Sequence, residues 1–523
     1  MKRRQFLRLA ATAAAVGGAS GGSLAAQDRR VPARPVQQEQ EPLIPLGNGE
    51  PPALQFQAYP GGTGALMEKL WREHDGNPFE HRAISIAAWQ GPVPATEEEL
   101  AFLPVHRLAA LLRARHVTSV ELTDVYLQRL ERFDPVLLCA VTILEGRARE
   151  EAQQADAEAA GGDWRGPLHG IPYGMKDLFA VRGAPTTWGS GDFATRVIDD
   201  EAAVVVRLRE AGAVLIAKLA TGQFAAGDRW YRGRTNNPWN LEQGSSGSSA
   251  GPASATAAGC VGFGIGTETQ GSIVSPARRC GLSALRPTFG RVSRQGGMVL
   301  SWSMDKVGPL CRTIEDCALV FNAIHGADER DPASLTAPFS FDRRPNLAQL
   351  RIGYTEDAPE AFVAKLRELG AEPKPMPELP NGRSNSLGVE SSAAFDFHIA
   401  PGGVLKPEPE PEPGQRRRGR FRRGREILAL DYVQSQRRRW ILMQEMAEAM
   451  KGFDMFVSGS GNVRLTNQTG HPAAIVPYDF GGDVPQPICT TIIGDLFADD
   501  KILSVAGAYQ MATDWHTRHP ELG

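Results

Sequence analysis

Three short segments concentrate residue types able to move protons or attack a carbonyl. The first is Gly170-Ile171-Pro172-Tyr173-Gly174-Met175-Lys176-Asp177. A lysine at the end of an apolar, turn-rich run loses hydration when buried, which lowers its pKa and frees a neutral amine to act as a base. The same lysine on a surface would only pair with Asp177. The second segment is Gly244-Ser245-Ser246-Gly247-Ser248-Ser249-Ala250-Gly251. Serines among glycines also make flexible linkers. Here the bulky Asn237-Pro238-Trp239 lies upstream and the small, helix-compatible run Ala253–Gly259 downstream, flanks that suit packed structure. The third is Gly266-Thr267-Glu268-Thr269-Gln270-Gly271-Ser272-Ile273. Such a turn can aim several backbone N–H groups at one point. Around a substrate carbonyl those groups form an oxyanion hole beside the serine. The plainer alternative is a β-turn with an exposed serine.

Rival serine chemistries fit less well. Gly247-x-Ser249-x-Gly251 has the form of a nucleophile elbow, but Trp239-Asn240-Leu241-Glu242-Gln243 is not the buried strand that an elbow needs before it. Ser303-Met304-Asp305-Lys306 has the form S-x-x-K, and Ser460-Gly461-Asn462 is a partial second motif. Their third element is missing, and Lys306 runs into Val307-Gly308-Pro309 instead of continuing a helix. None of the ten histidines falls within the three segments. His169, the closest, suits packing or a backbone hydrogen bond better than base catalysis. H-E-x-x-H, Walker A and G-x-G-x-x-G are all absent.

The elements that must position these residues alternate. Thr118-Ser119-Val120-Glu121 fits a capping box, followed by Leu122, Val125, Leu127, Leu130 and Phe133 at near-helical spacing, with Asp134-Pro135 as the expected stop. Residues 201–212 read as a helix closed by Gly212, and Ala213–Ala217 as a buried strand. Gly259–Gly266 is another short apolar segment, and Ile314–Ile324 a further helix. This pattern predicts an α/β sheet covered on both faces.

The chain has 523 residues, with Lys+Arg 57 against Asp+Glu 60, a balance that argues against a general nucleic-acid binder. Six cysteines without a C-x-x-C make neither a disulfide scaffold nor a zinc site. Arg3-Arg4-Gln5-Phe6-Leu7, a short apolar stretch to Val16 and a small-residue exit near Ala25-Ala26 read as a twin-arginine signal peptide over 1–26, which implies periplasmic or other export. Arg8 interrupts the run, which is too short to span a bilayer, so no stable membrane insertion is expected after processing. Residues 27–94 read as linker and N-terminal extension, and 95–518 as the catalytic domain, with a low-complexity insertion at 405–425. There Pro407–Pro413 alternates Pro with Glu, and Arg416–Arg425 is basic, which suits a solvated insertion whose charges offset one another.

Taken together, the segments resemble the amidase signature family, densely over 100–345 and again over 427–519. The resemblance runs from Gly166-Pro167-Leu168-His169-Gly170-Ile171-Pro172 into Lys176-Asp177, then through Asn237-Pro238-Trp239, Gly247–Gly251 and Gly266–Ser272. Leu285-Arg286-Pro287-Thr288, Gly290-Arg291-Val292, Asp305-Lys306-Val307-Gly308-Pro309 and Asn467-Gln468-Thr469-Gly470-His471-Pro472 continue it. The family implies an α/β fold, a single large domain with a mixed, twisted central sheet between helical layers, and a Ser–cis-Ser–Lys triad: Lys176 as base, Ser248 as bridging serine and Ser272 as nucleophile. Ser245 is the alternative bridge. Ser248 is favoured because Ala250-Gly251 and the small residues to Gly259 follow it as in the family, and because it lies 24 residues before Ser272. The backbone N–H groups of Thr269, Gln270, Gly271 and Ser272 would hold the oxyanion, with no metal or cofactor required.

The chain departs from the family at Glu268 and Gln270, where Asp and Gly are usual, and at Val274, where a basic residue is usual. Gln270 places a side chain near the oxyanion hole, which bears on substrate size and activity. The leading expectation is an exported amidase acting on small-molecule amides, with no nucleic-acid partner. The alternatives are the A-type subunit of a glutamine-dependent amidotransferase, against which the export signal counts, and a catalytically silent binding homologue. Substrate identity and oligomeric state, a homodimer included, stay open at this stage.

Overall fold

The computed structural model describes residues 59–74, 76–381, 384, 386–396, 421 and 424–522. The signal-peptide segment and most of the 405–425 insertion lie outside the described residues. An eleven-stranded mixed sheet forms the centre. In chain order its strands are β1 (Ala140–Ile143), β2 (Pro172–Lys176), β3 (Val214–Leu219), β4 (Phe263–Glu268), β5 (Ser283–Arg286) and β6 (Lys306–Cys311). They continue as β7 (Ile352–Tyr354), β8 (Lys374–Pro375), β9 (Met455–Ser458), β10 (Ala473–Gly481) and β11 (Gln486–Gly494). The spatial order is β1-β3-β2-β4-β6-β5-β10-β11-β9-β7-β8. β2 lies parallel to both β3 and β4, whereas β6 runs antiparallel to β4 and β5.

Neighbouring residues of one strand feed two different cores, as the two-residue period of a strand requires. Leu285, Val307, Val457, Ala474 and Ile492 pack on one side. Ala284, Leu310, Phe456, Ala473 and Ile493 pack on the other. The first core is covered by helices including α2 (Ser119–Leu137), α3 (Ala203–Glu210), α6 (Ile314–Ile324) and α8 (Asp499–Met511), and the second by α4 (Ala250–Ala257), α5 (Val274–Cys280) and α7 (Ala429–Ala449). The expected layered α/β architecture is therefore present.

Two details differ from the sequence expectation. Helix α2 has its Thr118 capping box but passes through Pro135 to Leu137. Pro135 occupies the last turn, where the donor it lacks costs the helix one of its final bonds. Leu138, in the left-handed region, closes the helix by donating its N–H to the Asp134 carbonyl at 2.8 Å. The folded body also begins before residue 95. Helix α1 (Gly62–Glu73) buries Leu66 and Leu70 against Ala337, Leu496 and Phe497, and its Lys69 pairs with Asp495 at 2.6 Å. The Gly61-Gly62-Thr63-Gly64 run hides this helix in the sequence. All six cysteines are buried thiols.

Candidate active site

Strand β2 is buried along its whole length, and it ends at Lys176, whose side chain has no solvent exposure. The lysine Nζ lies 2.8 Å from Ser248 Oγ, 3.0 Å from Ser249 Oγ and 2.8 Å from Thr267 Oγ1. Burial holds its pKa well below the usual lysine range, against the opposing pull of the Asp305 and Glu268 carboxylates. Asp177 turns away to pair with Lys218 at 2.8 Å, both groups being fully buried. The surface ion pair Lys176–Asp177 is thus excluded.

The Ser-rich segment is packed, not a linker. Ser245, Ser248 and Ser249 have no solvent exposure. A Cβ on Gly247 would lie 2.0 Å from the Gly227 carbonyl oxygen, so only glycine fits beneath that backbone. The Gly247–Ser248 peptide bond is cis, the configuration implied for the bridging serine. Ser245 Oγ donates to the Ser246 carbonyl instead of meeting Lys176. The structure therefore brings Ser248 to the lysine, with Ser249 beside it at the start of α4.

Ser272 follows β4, at the same end of the sheet as Lys176, because β2 and β4 are parallel. The Ser249 N–H donates to the Ser272 carbonyl at 3.1 Å, tying the two serine turns together. Ser272 is 9 % exposed, while Lys176 and Ser248 are sealed, so a ligand reaches the site from the Ser272 side. Glu268 is buried and anchors this turn. Its Oε2 accepts the N–H groups of Ile273 and Val274 at 2.8 and 2.9 Å, and its Oε1 meets Arg286 at 3.0 Å and Asn467 at 2.6 Å. These partners hold its carboxyl below the usual range against the cost of burial. Asp305 fixes the other end of the turn by accepting the Thr269 hydroxyl at 2.6 Å. Gly271 has φ +100°, a conformation that favours glycine. Among the described residues, the N–H groups of Gln270, Gly271 and Ser272 donate no hydrogen bond within the protein. The turn is thus held from both ends with its central donors unspent. The Gln270 side chain is exposed.

A cavity of about 530 Å³ opens beside this turn, with Thr267 and Thr269 in its wall. Leu178, Phe179, Met298 and Leu300 make much of the rest apolar, and Asp305 and Lys306 contribute charge. Among the described residues no group of three His, Cys, Asp or Glu side chains could hold a metal ion.

Residues 121–463, more than half of the chain, match the Amidase family. The chain belongs to the Amidase family. Amidases of this kind hydrolyse carboxamide C–N bonds, and that is the reaction class of this enzyme. The amidase is 33 % identical over 483 residues to the A subunit of glutamyl-tRNA(Gln) amidotransferase from Roseiflexus sp. (strain RS-1), covering 79 % of this chain and 96 % of the relative. A similar protein of Methylococcus capsulatus (strain ATCC 33009 / NCIMB 11132 / Bath), bearing the same name, is 33 % identical over 79 % of this chain and 97 % of its own. Among solved structures, the native peptide amidase of Stenotrophomonas maltophilia superposes with a TM-score of 0.71 at 28 % identity, over 80 % of this chain and 98 % of that one. A 6-aminohexanoate cyclic dimer hydrolase shares the fold at TM-score 0.71 and 22 % identity, over 81 % of this chain and 99 % of that one.

In this amidase His169 and Ser303 have structural roles. His169 is buried, with Nε2 2.8 Å from the Ala155 carbonyl. Ser303 is bonded to Glu390 and Arg439, and Lys306 opens strand β6. The contributions of Ser249, Thr267, Lys218 and Asp305 escaped the sequence reading. Ser249 and Thr267 lie inside the segments that stand out, and Asp305 inside a stretch that resembles the family. Lys218 sits mid-strand in an apolar run, where a lysine signals a buried partner.

Proposed function

We propose that the protein is an exported amidase in which Ser272 is the nucleophile, Ser248 the proton relay and neutral Lys176 the base. The hydrogen bonds of Lys176 carry this reading. A neutral amine has two N–H donors and one lone pair. Ser249 Oγ already donates to the Thr267 carbonyl at 3.1 Å, so it accepts from Lys176. Thr267 Oγ1 takes the second N–H at 2.8 Å. The lone pair is then left for the Ser248 hydroxyl at 2.8 Å.

In this scheme Ser248 passes its proton to Lys176 as it takes the proton of Ser272. Ser272 Oγ bonds to the amide carbonyl carbon, and the N–H groups of Thr269 to Ser272 stabilise the oxyanion. The C–N bond breaks as the relay returns a proton to the departing amine. Water then adds to the acyl-serine by the same relay, releasing the acid. The similarity to a peptide amidase supports a small carboxamide substrate.

The amidotransferase relatives favour a second reading, a component of such a complex, and the Arg3-Arg4 segment weighs against it. A fluorophosphonate probe, followed by peptide mapping, tests the nucleophile. Labelling at Ser272 with hydrolysis by the isolated chain is expected. Absence of labelling points to a silent homologue, and turnover that depends on added partner proteins points to the amidotransferase.

A further inference from the structure

The cavity wall contains a lysine for which the proposed mechanism has no use. Lys306 begins β6 opposite Glu268 of β4, and its side chain is 3 % exposed. Its amino group donates to the Met304 carbonyl, and among the described residues no carboxylate lies within ion-pair distance of it. The other buried charges around the cavity are committed, and Arg330 is half exposed. Arg294 is doubly bonded to Asp331 at 2.7 and 2.9 Å, and Arg330 lies 3.7 Å from Asp328. The Asp305 oxygens accept the Thr269 hydroxyl and the N–H groups of Leu300 and Ser301.

A buried amine with an N–H left over beyond its carbonyl bond is under-satisfied, and a ligand acceptor in the same cavity would use that donor. Burial and the neighbouring Arg286 hold the Lys306 pKa well below the usual range, against the pull of Glu268 and Asp305, so the side chain favours the neutral amine, and an arriving carboxylate would shift it toward the charged form. Thr269 belongs both to the cavity wall and to the nucleophile turn, so a ligand in the cavity is continuous with the site.

Building on the amidase reading, we propose that Lys306 is a specificity-determining residue. It would bind an acceptor oxygen, a second amide carbonyl or a carboxylate, carried on an otherwise apolar arm of the substrate. Leu178, Phe179, Met298 and Leu300 would cover that arm, and the Lys306 amino group would meet the oxygen.

The test compares the α,ω-diamides from succinamide to suberamide, and the matching ω-carboxylate monoamides, with plain alkyl amides of equal length. At one length the wild-type enzyme should prefer the acceptor-bearing substrate, by roughly three- to tenfold in kcat/KM for a carbonyl and roughly ten- to a hundredfold for a carboxylate, the ranges for a neutral and a charged hydrogen bond. The Lys306→Met variant should lose that preference, and the series that shows it identifies carbonyl or carboxylate. Lys306→Gln serves as a second variant should the methionine protein not fold. No preference at any length, or full preference in either folded variant, overturns the proposal. Calorimetric binding of the same compounds to the Ser272→Ala protein reads the cavity without turnover. Preferential binding there, with no hydrolysis by wild type, would retain the acceptor site while refuting the amidase reading.

Discussion

Asp177 forms its ion pair with Lys218, 2.8 Å away on the neighbouring strand, and not with Lys176, its neighbour in the chain. Strand pleating accounts for the choice. Lys218 stands opposite Met175 in the parallel register of β2 and β3, and Asp177 continues β2 by donating its N–H to the Leu219 carbonyl at 2.8 Å. Lys176 is left among hydroxyls, where neutrality costs less than charge. Lys218→Met strands a buried carboxylate and should destabilise the fold by about 3–5 kcal/mol, as when one partner of a buried pair is removed. Adding Asp177→Asn should recover most of the loss. Thermal melts of the three proteins decide this, and an unchanged Tm for Lys218→Met would refute it.

The proposed triad residues should separate activity from stability. Ser272→Ala should abolish turnover and fluorophosphonate labelling while its melt stays near that of wild type. Lys176→Met should be equally inactive yet no less stable, because methionine fills the buried position without a group that must shed its charge. Ser248→Ala should lose roughly 10²–10⁴-fold, the usual range for one acid–base group. Substantial turnover by Ser272→Ala would remove the proposed nucleophile.

The pH profile follows from the burial of Lys176. Its folded-state pKa is depressed, so the amine becomes neutral, and active, at a lower pH than an exposed lysine would. kcat/KM should rise with pH through that depressed value and then level. Asp305 and Glu268 are the carboxylates whose field reaches Lys176, and both favour the ammonium form. Asp305→Asn should therefore move the rising limb to lower pH. A limb that moves upward, or one that lies at the ordinary lysine value, would contradict the role of Lys176.

Much of this site was legible because its chemistry is local. Lys176, Ser248 and Ser272 each lie in a segment whose composition sets it apart, and the chain order of several linked motifs points to one family. The supports were not legible, because they depend on pairing across the sheet. Glu268 looked like a departure from the family, yet it caps the turn through Ile273 and Val274 with help from Asn467, 199 residues away. The partnership of Asp177 with Lys218 needs the β2–β3 register, which no single-segment pattern supplies. Helix α1 was hidden for a different reason, its glycine-rich first turn, although Leu66 and Leu70 give it a buried stripe.

The export proposal gives a prediction independent of the fold. The twin-arginine address is read by a receptor and is not a membrane anchor. Replacing Arg3 and Arg4 by lysine should therefore retain the precursor in the cytoplasm. Fractionation that finds an undiminished periplasmic yield from the double variant would dismiss the export proposal.

Acid should loosen the support of the nucleophile turn through His471. This histidine is buried, its Nδ1 lies 2.8 Å from Thr469 Oγ1, and its carbonyl accepts from Arg286 at 2.7 Å. Arg286 in turn pairs with Glu268, which caps the turn that follows Ser272. Burial lowers the His471 pKa to about 4, with the nearby Arg286 and Lys69 charges adding to the effect and Asp495 opposing it. The unfolded chain binds this proton near pH 6.5, and the folded protein does so only near pH 4. Between those values the unfolded state holds more protons, so stability is fully present above pH 6.5 and falls as the pH drops. By pH 4 the histidine should have cost roughly 3 kcal/mol, at about 1.4 kcal/mol for each pH unit between the two values. His471→Asn removes the titration, so its stability should decline less steeply over the same interval. Urea unfolding of both proteins from pH 7 to pH 4 measures the difference, and parallel declines would show that His471 is already protonated in the folded state.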